Sequence, residues 1–78
     1  MEEEVHNVVH FKKAYSEIVQ NLVRTRKMIP MSQDGIADWL KVDRRKIMDL
    51  ENGEINISLL LRYADKLSID VKLTFEIN

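Results

Sequence analysis

The 78-residue sequence contains no cysteine, one proline and two glycines. Without cysteine, neither a disulfide nor a metal–thiolate site can stabilise so short a chain, and we expect stability to come from packed helices or from a second subunit. Proline and glycine interrupt helices more than other residues do, so their scarcity favours a mostly helical fold. The length is typical of a single domain.

Long hydrophobic runs are also missing. The longest uninterrupted apolar stretch is the three leucines Leu59 to Leu61, whereas a membrane-spanning helix needs about 20 apolar residues. We therefore expect a soluble, cytoplasmic protein that makes no contact with a membrane. Twelve Lys and Arg residues nearly balance 13 Asp and Glu residues, so any attraction to nucleic acid must come from a local cluster of positive charge.

Residue patterns typical of catalysis are absent as well. The sequence has no Ser–His–acid set, no glycine-rich phosphate loop and no thiol nucleophile, and so short a chain scarcely encloses a catalytic pocket. We predict a protein that is not an enzyme and has no cofactor. His6 and His10 are four residues apart, as some metal ligands on a helix are, but no acidic residue at a suitable spacing completes a site. We therefore predict no metal site.

Apolar residues recur at steps of three, four and seven from about residue 8 to residue 28, which predicts a long amphipathic helix with Ile18 and Leu22 on its inner face. Pro30 ends this helix, because proline disfavours helical geometry at the residue before it. Residues 1–7 are expected to form either an arm or the start of the same helix, since they combine glutamates with a β-branched valine.

Shorter helices are predicted to follow, each behind a residue that can cap its N-terminus. They are residues 33–40 with Ser32 as the N-cap, residues 44–52 with Asp43 as the N-cap, and about residues 58–67 with Asn56 or Ser58 as the N-cap. Gly53 is expected to end the third helix in the left-handed conformation. The sequence thus predicts a mostly α fold of four to five helices.

The end of the chain changes to a period of two, which predicts a β-strand within residues 70–78. Apolar and polar residues alternate there: Val71, Leu73, Phe75 and Ile77 with Lys72, Thr74 and Glu76. No other segment is a confident strand, so we expect antiparallel pairing with a second copy to form a homodimer. A register centred on Thr74 places Lys72 opposite Glu76 of the other copy. The alternatives are packing on the same domain or pairing with residues 5–9.

Positive charge is concentrated around the start of the third predicted helix. Four cations lie within six residues: Lys41, Arg44, Arg45 and Lys46. Cations in a first helical turn oppose the helix dipole by about 0.3–1 kcal/mol each, so an anion such as phosphate is expected to compensate. Helices enter the DNA major groove with such N-terminal residues, and arginine binds guanine through two hydrogen bonds. The alternative is an ordinary solvated charged face.

Several residues between Met31 and Gly53 fit a single family pattern. They are Ser32 and Gln33, apolar Ile36, Ala37 and Leu40, the turn residue Val42, inward Ile47, and the string Leu50-Glu51-Asn52-Gly53. With Arg26 ahead of it, this segment resembles the lambda-repressor-like, Cro-type helix-turn-helix family, also called the XRE family. The resemblance covers about residues 19–69. The departures are Lys41 where the family usually has glycine, Gly35 in place of a good helix former, and a shorter loop after Gly53.

The resemblance implies a helix-turn-helix fold that binds DNA, and we predict such a domain over residues 8–69. Together with the strand pairing expected above, this predicts a homodimeric transcriptional regulator, most simply a repressor. It implies that Gln33 contacts a phosphate with Ser32 capping above it. It also implies that Arg44 and Arg45 read bases and that Lys46 contacts a base or a phosphate. The rival functions are an antitoxin that binds a toxin protein and regulates its own operon, and a protein-interaction module that does not bind DNA.

Three further residues each have two interpretations. Asp49 either accepts a hydrogen bond from cytosine or forms a salt bridge with Arg45. Asn52 either donates to a phosphate or caps the third helix. Trp39 either binds a protein partner or packs against the long first helix, and we expect the second.

Overall fold

The computed structural model describes the backbone of residues 2–71 and the side chains of residues 10–71. This part of the chain forms four α-helices and no strand. The helices are α1 (Glu2–Met28), α2 (Gln33–Leu40), α3 (Arg44–Glu51) and α4 (Ile57–Lys66). The prediction of a small, mostly helical fold is therefore confirmed for the described residues. The predicted strand and its pairing lie almost wholly in residues 72–78, outside the described part.

The first helix is much longer than the other three. Its 27 residues span about 40 Å at the usual rise per residue, close to the 42 Å longest dimension of the molecule. It begins at Glu2, so residues 2–7 continue the helix rather than form an arm. It ends at Met28, ahead of Pro30, as predicted. None of the helices in the described part is both long and apolar enough to cross a membrane.

The N-terminal caps follow the local sequence closely. Ser32 Oγ accepts a hydrogen bond from the Gly35 amide at 2.9 Å, and Asp43 Oδ1 accepts one from the Arg45 amide at 3.0 Å. The cap of α4 is Asn56 rather than Ser58, since its Oδ1 accepts from the Leu59 amide at 3.1 Å. Each cap satisfies an amide that the first turn of a helix leaves unpaired.

Two residues in the left-handed region end the middle helices. Lys41 follows α2 with φ 56° and ψ 47°, a conformation that glycine adopts more readily than other residues. Gly53 has φ 105°, two residues beyond the end of α3 at Glu51. The predicted third helix is thus one residue too long. Arg62 donates a hydrogen bond to the Leu40 carbonyl oxygen, which places a cation at the C-terminus of α2, where the helix dipole favours it.

A single core joins the four helices. α1 contributes Tyr15, Val19 and Leu22. The predicted Ile18 is partly buried and packs against this core, and the inner face also includes Val19 (4% exposed), which the prediction left out. The other helices bury the following residues: Ile36, Ala37, Leu40, Ile47, Leu50, Leu59, Leu60, Tyr63 and Ala64. The core therefore lies where α2, α3 and α4 meet the second half of α1.

Trp39 does not lie where the sequence led us to expect it. The residue is 45% exposed, and its ring lies beside α4, with Lys66 Nζ 5.5 Å from the ring centroid. The cause is the packing of α2, which contacts α3 and α4 more extensively than α1. The expectation that Trp39 packs against α1 was wrong. A lysine over an exposed aromatic ring contributes about 0.5–1 kcal/mol.

Candidate nucleic-acid interface

The last residue of α3, Glu51, is tied to the other three helices. Its carboxylate accepts two hydrogen bonds from Arg26 of α1, from Nε and Nη2, both at 2.9 Å. It also accepts one from Gln33 Nε2 of α2 at 3.0 Å and one from the Tyr63 hydroxyl of α4 at 2.7 Å. The remaining nitrogen of the guanidinium, Nη1, donates to the Met31 carbonyl oxygen at 2.7 Å. We call these residues the Glu51 network.

The electrostatics of the Glu51 network favour its charged form. The Arg26 and Glu51 side chains are only 8% and 7% exposed. Burial is the largest single influence and raises the pKa of Glu51, but the hydrogen bonds from Arg26, Gln33 and Tyr63, with the positive charge of Arg26, outweigh it and lower the pKa overall. Burial, followed by the hydrogen bond to Glu51, raises the pKa of Tyr63 well above its usual value. The ionised carboxylate thus fixes α3 in the fold.

A second contact fixes the loop after α3. The Tyr15 hydroxyl donates to the Glu54 carbonyl at 3.1 Å and accepts from the Asn56 amide at 2.8 Å. Burial raises the pKa of this hydroxyl, partly offset by the hydrogen bond from Asn56. Because the middle and the end of the loop between α3 and α4 bind one side chain, the Glu51 network and Tyr15 together hold the C-terminus of α3 and the loop that follows it.

The anchored helix presents its charged first turn to solvent. Ile47 and Leu50 are 0% and 1% exposed, whereas Arg44, Arg45 and Lys46 are all exposed. At about 100° per residue, Arg45 points away from the buried pair, and Arg44 lies on the side that faces α2. The predicted cluster is therefore a surface on a rigidly held helix. We call Arg44, Arg45 and Lys46 the cationic turn.

The members of the cationic turn differ in their partners. Arg44 Nε lies 3.4 Å from Asp34 Oδ1 in the first turn of α2. Within the described residues, Arg45 and Lys46 form no ion pair. Asp49 is half-buried and is not paired with Arg45, so the alternative of a salt bridge between them is not what the structure shows. The outer face of α3 thus carries two cations and one acid that have no ion-pair partner among the residues whose side chains are described.

The remaining predicted contact residues also have roles within the fold. Ser32 Oγ is used in the cap of α2, and the Gln33 amide donates to Glu51. Asn52 is exposed and follows α3 as its C-cap, with its backbone amide bonded to the Met48 carbonyl at 2.9 Å. Gln33 therefore lies at the N-terminus of α2, with its amide bound to the end of α3.

The sequence did not lead us to expect the contacts that Glu51, Tyr63 and Asp34 make within the fold. Glu51 follows Ile47 and Leu50 at steps of four and one, which places it on the inner stripe of α3. A charged residue on an apolar stripe indicates a buried partner, because an unpaired buried charge is costly. No comparable signal was present for Asp34, whose pairing with Arg44 depends on how α2 and α3 cross.

Comparisons of the chain with models of known protein families, with curated proteins and with solved structures find no match. The case for a function therefore rests on the geometry of α2 and α3 and on the chemistry of the cationic turn.

Proposed function

We propose that the chain binds duplex DNA as a sequence-specific, helix-turn-helix transcriptional regulator and inserts the first turn of α3 into the major groove. The observation that carries this proposal is the exposure of the cationic turn on a helix whose opposite face is fully buried. Such a helix can approach DNA without losing its packing. A recognition helix of this kind reads base edges with its N-terminal residues.

The energetics of α3 support an anionic ligand. Its first turn holds no acidic residue, and three cations there oppose the helix dipole at about 0.3–1 kcal/mol each. Asp43 caps the helix but does not pair with them among the described residues. A DNA phosphate or the acceptor edge of guanine would relieve this unfavourable arrangement.

The role proposed for each residue of the interface follows from the direction in which its side chain points and from the partner that it has in the fold. Arg45 points outward from the buried pair and is the proposed principal reader of guanine. Lys46 lies to one side and is the proposed phosphate or base contact. Gln33, whose amide binds the last residue of α3, and Asn52, which follows that residue, are the proposed phosphate contacts, which position the helix without specifying sequence. Asp49 follows Arg45 by one turn and is the proposed acceptor for cytosine.

The regulator is proposed to act as a homodimer through the strand predicted at residues 71–77. Val71, the last described residue, packs against the core, so the predicted strand would start from the body of the domain. Two copies related by a two-fold axis would place their α3 helices about 34 Å apart, one turn of DNA. Such a dimer on a promoter represses most simply by excluding other proteins.

Selection of bound sequences from a random duplex pool tests this proposal. The expected result is enrichment of a two-fold symmetric site containing guanine in each half. On that site Arg45→Ala should cost about 1–3 kcal/mol and relax the preference at one position. Arg24→Ala removes the same charge from an exposed position on α1 and serves as the matched control, with little expected effect.

Two outcomes of these binding experiments would contradict the proposal. A pool that shows no enrichment, together with duplex binding that does not depend on salt, would contradict DNA recognition by this chain. Equal loss of affinity in Arg45→Ala and Arg24→Ala would show that only overall charge matters and would remove α3 from the interface.

An antitoxin is the second candidate function, and one surface feature favours it. Ile57 and Leu61 are 39% and 48% exposed and stand four residues apart on α4, so they form an apolar pair to which a protein can bind. Such an antitoxin would bind DNA through the same α3. Purification of the native protein with a stable second polypeptide would support this candidate, and a homodimer alone would oppose it.

A further inference from the structure

An ion pair joins α2 and α3 at the proposed DNA-facing surface. Asp34 is the second residue of α2 and Arg44 is the first residue of α3. Arg44 Nε lies 3.4 Å from Asp34 Oδ1, and the two side chains remain 55% and 72% exposed. Given the proposed DNA binding, on which this inference rests, we propose that Asp34 sets the affinity for DNA by holding the Arg44 guanidinium in the free protein.

The pairing divides the cationic turn into two parts. Arg45 and Lys46 have no ionic partner among the described residues and are available to DNA at once. Arg44 contributes its charge only after it leaves Asp34 for a phosphate or a base. Affinity for DNA of any sequence depends on the number of phosphates that cations neutralise in the complex. Because Arg44 must give up Asp34 to neutralise a phosphate, the ion pair of the free protein reduces what this contact adds to the affinity.

The position of Asp34 distinguishes its effect on DNA affinity from that of any other negative charge on α2. A carboxylate in the first turn of α2 suits the helix dipole, but at this surface it also repels approaching phosphates. Asp38, one turn further along α2, is exposed and forms no ion pair with the described residues. Both residues carry one negative charge on the same helix, and only Asp34 touches the cationic turn. Asp38 is therefore a matched control for net charge.

The test compares the affinities of variants for a duplex of arbitrary sequence at low and moderate salt. Asp34→Asn should bind about two- to fivefold more tightly than the wild type, because an exposed ion pair shifts an equilibrium by no more than about that factor. Its plot of log affinity against log salt should be steeper by up to about 0.9, one phosphate contact. Asp38→Asn should change both quantities less, and Asp34→Glu should restore wild-type behaviour.

The dependence on Arg44 decides the mechanism. In an Arg44→Gln background, the tightening caused by Asp34→Asn should shrink to the small net-charge effect of Asp38→Asn, which should persist. Circular dichroism establishes that each variant is folded. These results together would support control of affinity through Arg44.

Other outcomes overturn the inference in distinguishable ways. Weaker binding by Asp34→Asn would mean that the carboxylate orients Arg44 for contact instead of withholding it. Equal effects of Asp34→Asn and Asp38→Asn in the wild-type background, or an Asp34→Asn effect that is undiminished by Arg44→Gln, would reduce the result to net charge. If the wild type binds no duplex, the proposed function fails and this inference falls with it. If the wild type binds and Asp34→Asn matches it, only the inference fails.

Discussion

Replacing Glu51 by alanine tests how α3 is held in place. The substitution removes the acceptor of four hydrogen bonds, two of them from Arg26. Arg26 is 7% exposed and would keep its charge in a site without a counter-ion. Breaking a buried ion pair from one side costs about 3–5 kcal/mol. A domain of this size has a free energy of unfolding of about 4–12 kcal/mol, so Glu51→Ala is expected to remove a large share of it.

Urea unfolding measures this loss, with helix content followed by circular dichroism and tertiary structure by the fluorescence of Trp39, the only tryptophan. Glu17→Ala is the matched control, since Glu17 is exposed on α1 and forms no ion pair with the described residues. Its effect should stay within about 0.5 kcal/mol. A loss below about 1 kcal/mol for Glu51→Ala would refute the role assigned to the Glu51 network.

A second variant separates the orphaned charge from lost packing. Arg26→Met combined with Glu51→Ala removes the unpaired guanidinium and keeps an apolar side chain in its place. The double variant should be more stable than Glu51→Ala alone, because replacing both charges of a buried pair costs less than removing one. If the double variant is no more stable, an uncompensated charge is not the reason for the destabilisation.

Three further predictions follow from individual contacts. The stability that ionised Glu51 contributes should be fully present above pH 4.5, its ordinary pKa, and should be lost as the pH drops below that value, because folding lowers the pKa of Glu51. Urea midpoints of the wild type and of Glu51→Gln, measured from pH 7 to pH 3, check this, and parallel curves would contradict it. Lys41→Gly should stabilise the fold by about 0.5–1 kcal/mol, because Lys41 has φ 56° and glycine adopts that conformation without a steric penalty; a lower thermal midpoint would be the contrary result. Gln33→Ala should cost about 1–2 kcal/mol of stability, since its amide donates to a carboxylate, and should weaken binding to all duplexes about equally; a loss restricted to one sequence would rule out a phosphate contact.

Local chemistry explains which parts of the fold could be predicted. Ser32 and Asp43 were identified as caps because capping depends on residues within three positions of the helix start. The stop at Gly53 was equally local, since left-handed geometry favours glycine. Asn56 and Ser58 could not be separated by the same reasoning, because both are good caps and only the start of α4 distinguishes them.

Nonlocal contacts explain what the sequence did not reveal. Glu51 meets Arg26 across 25 residues and Tyr63 across 12, so no short-range pattern contains the network. Ile18 and Val19 are neighbours with similar side chains that both pack on the core, and the periodicity that placed Ile18 on the inner face did not show that Val19 is buried more deeply. The exposure of Trp39 depends on the crossing of α2 and α4. The cationic turn was visible in the sequence, but the restraint of Arg44 by Asp34 was not.

The most direct test of the central claim is to map the DNA contact surface by amide chemical-shift changes in NMR spectra. A labelled sample is titrated with the selected duplex, and shifts are followed across α1 to α4. The account predicts that the largest changes fall on the cationic turn and on Gln33 and Asp34 at the start of α2, with little change in the exposed face of α1. Changes centred on α4, or no change at any residue on saturation with duplex, would contradict it.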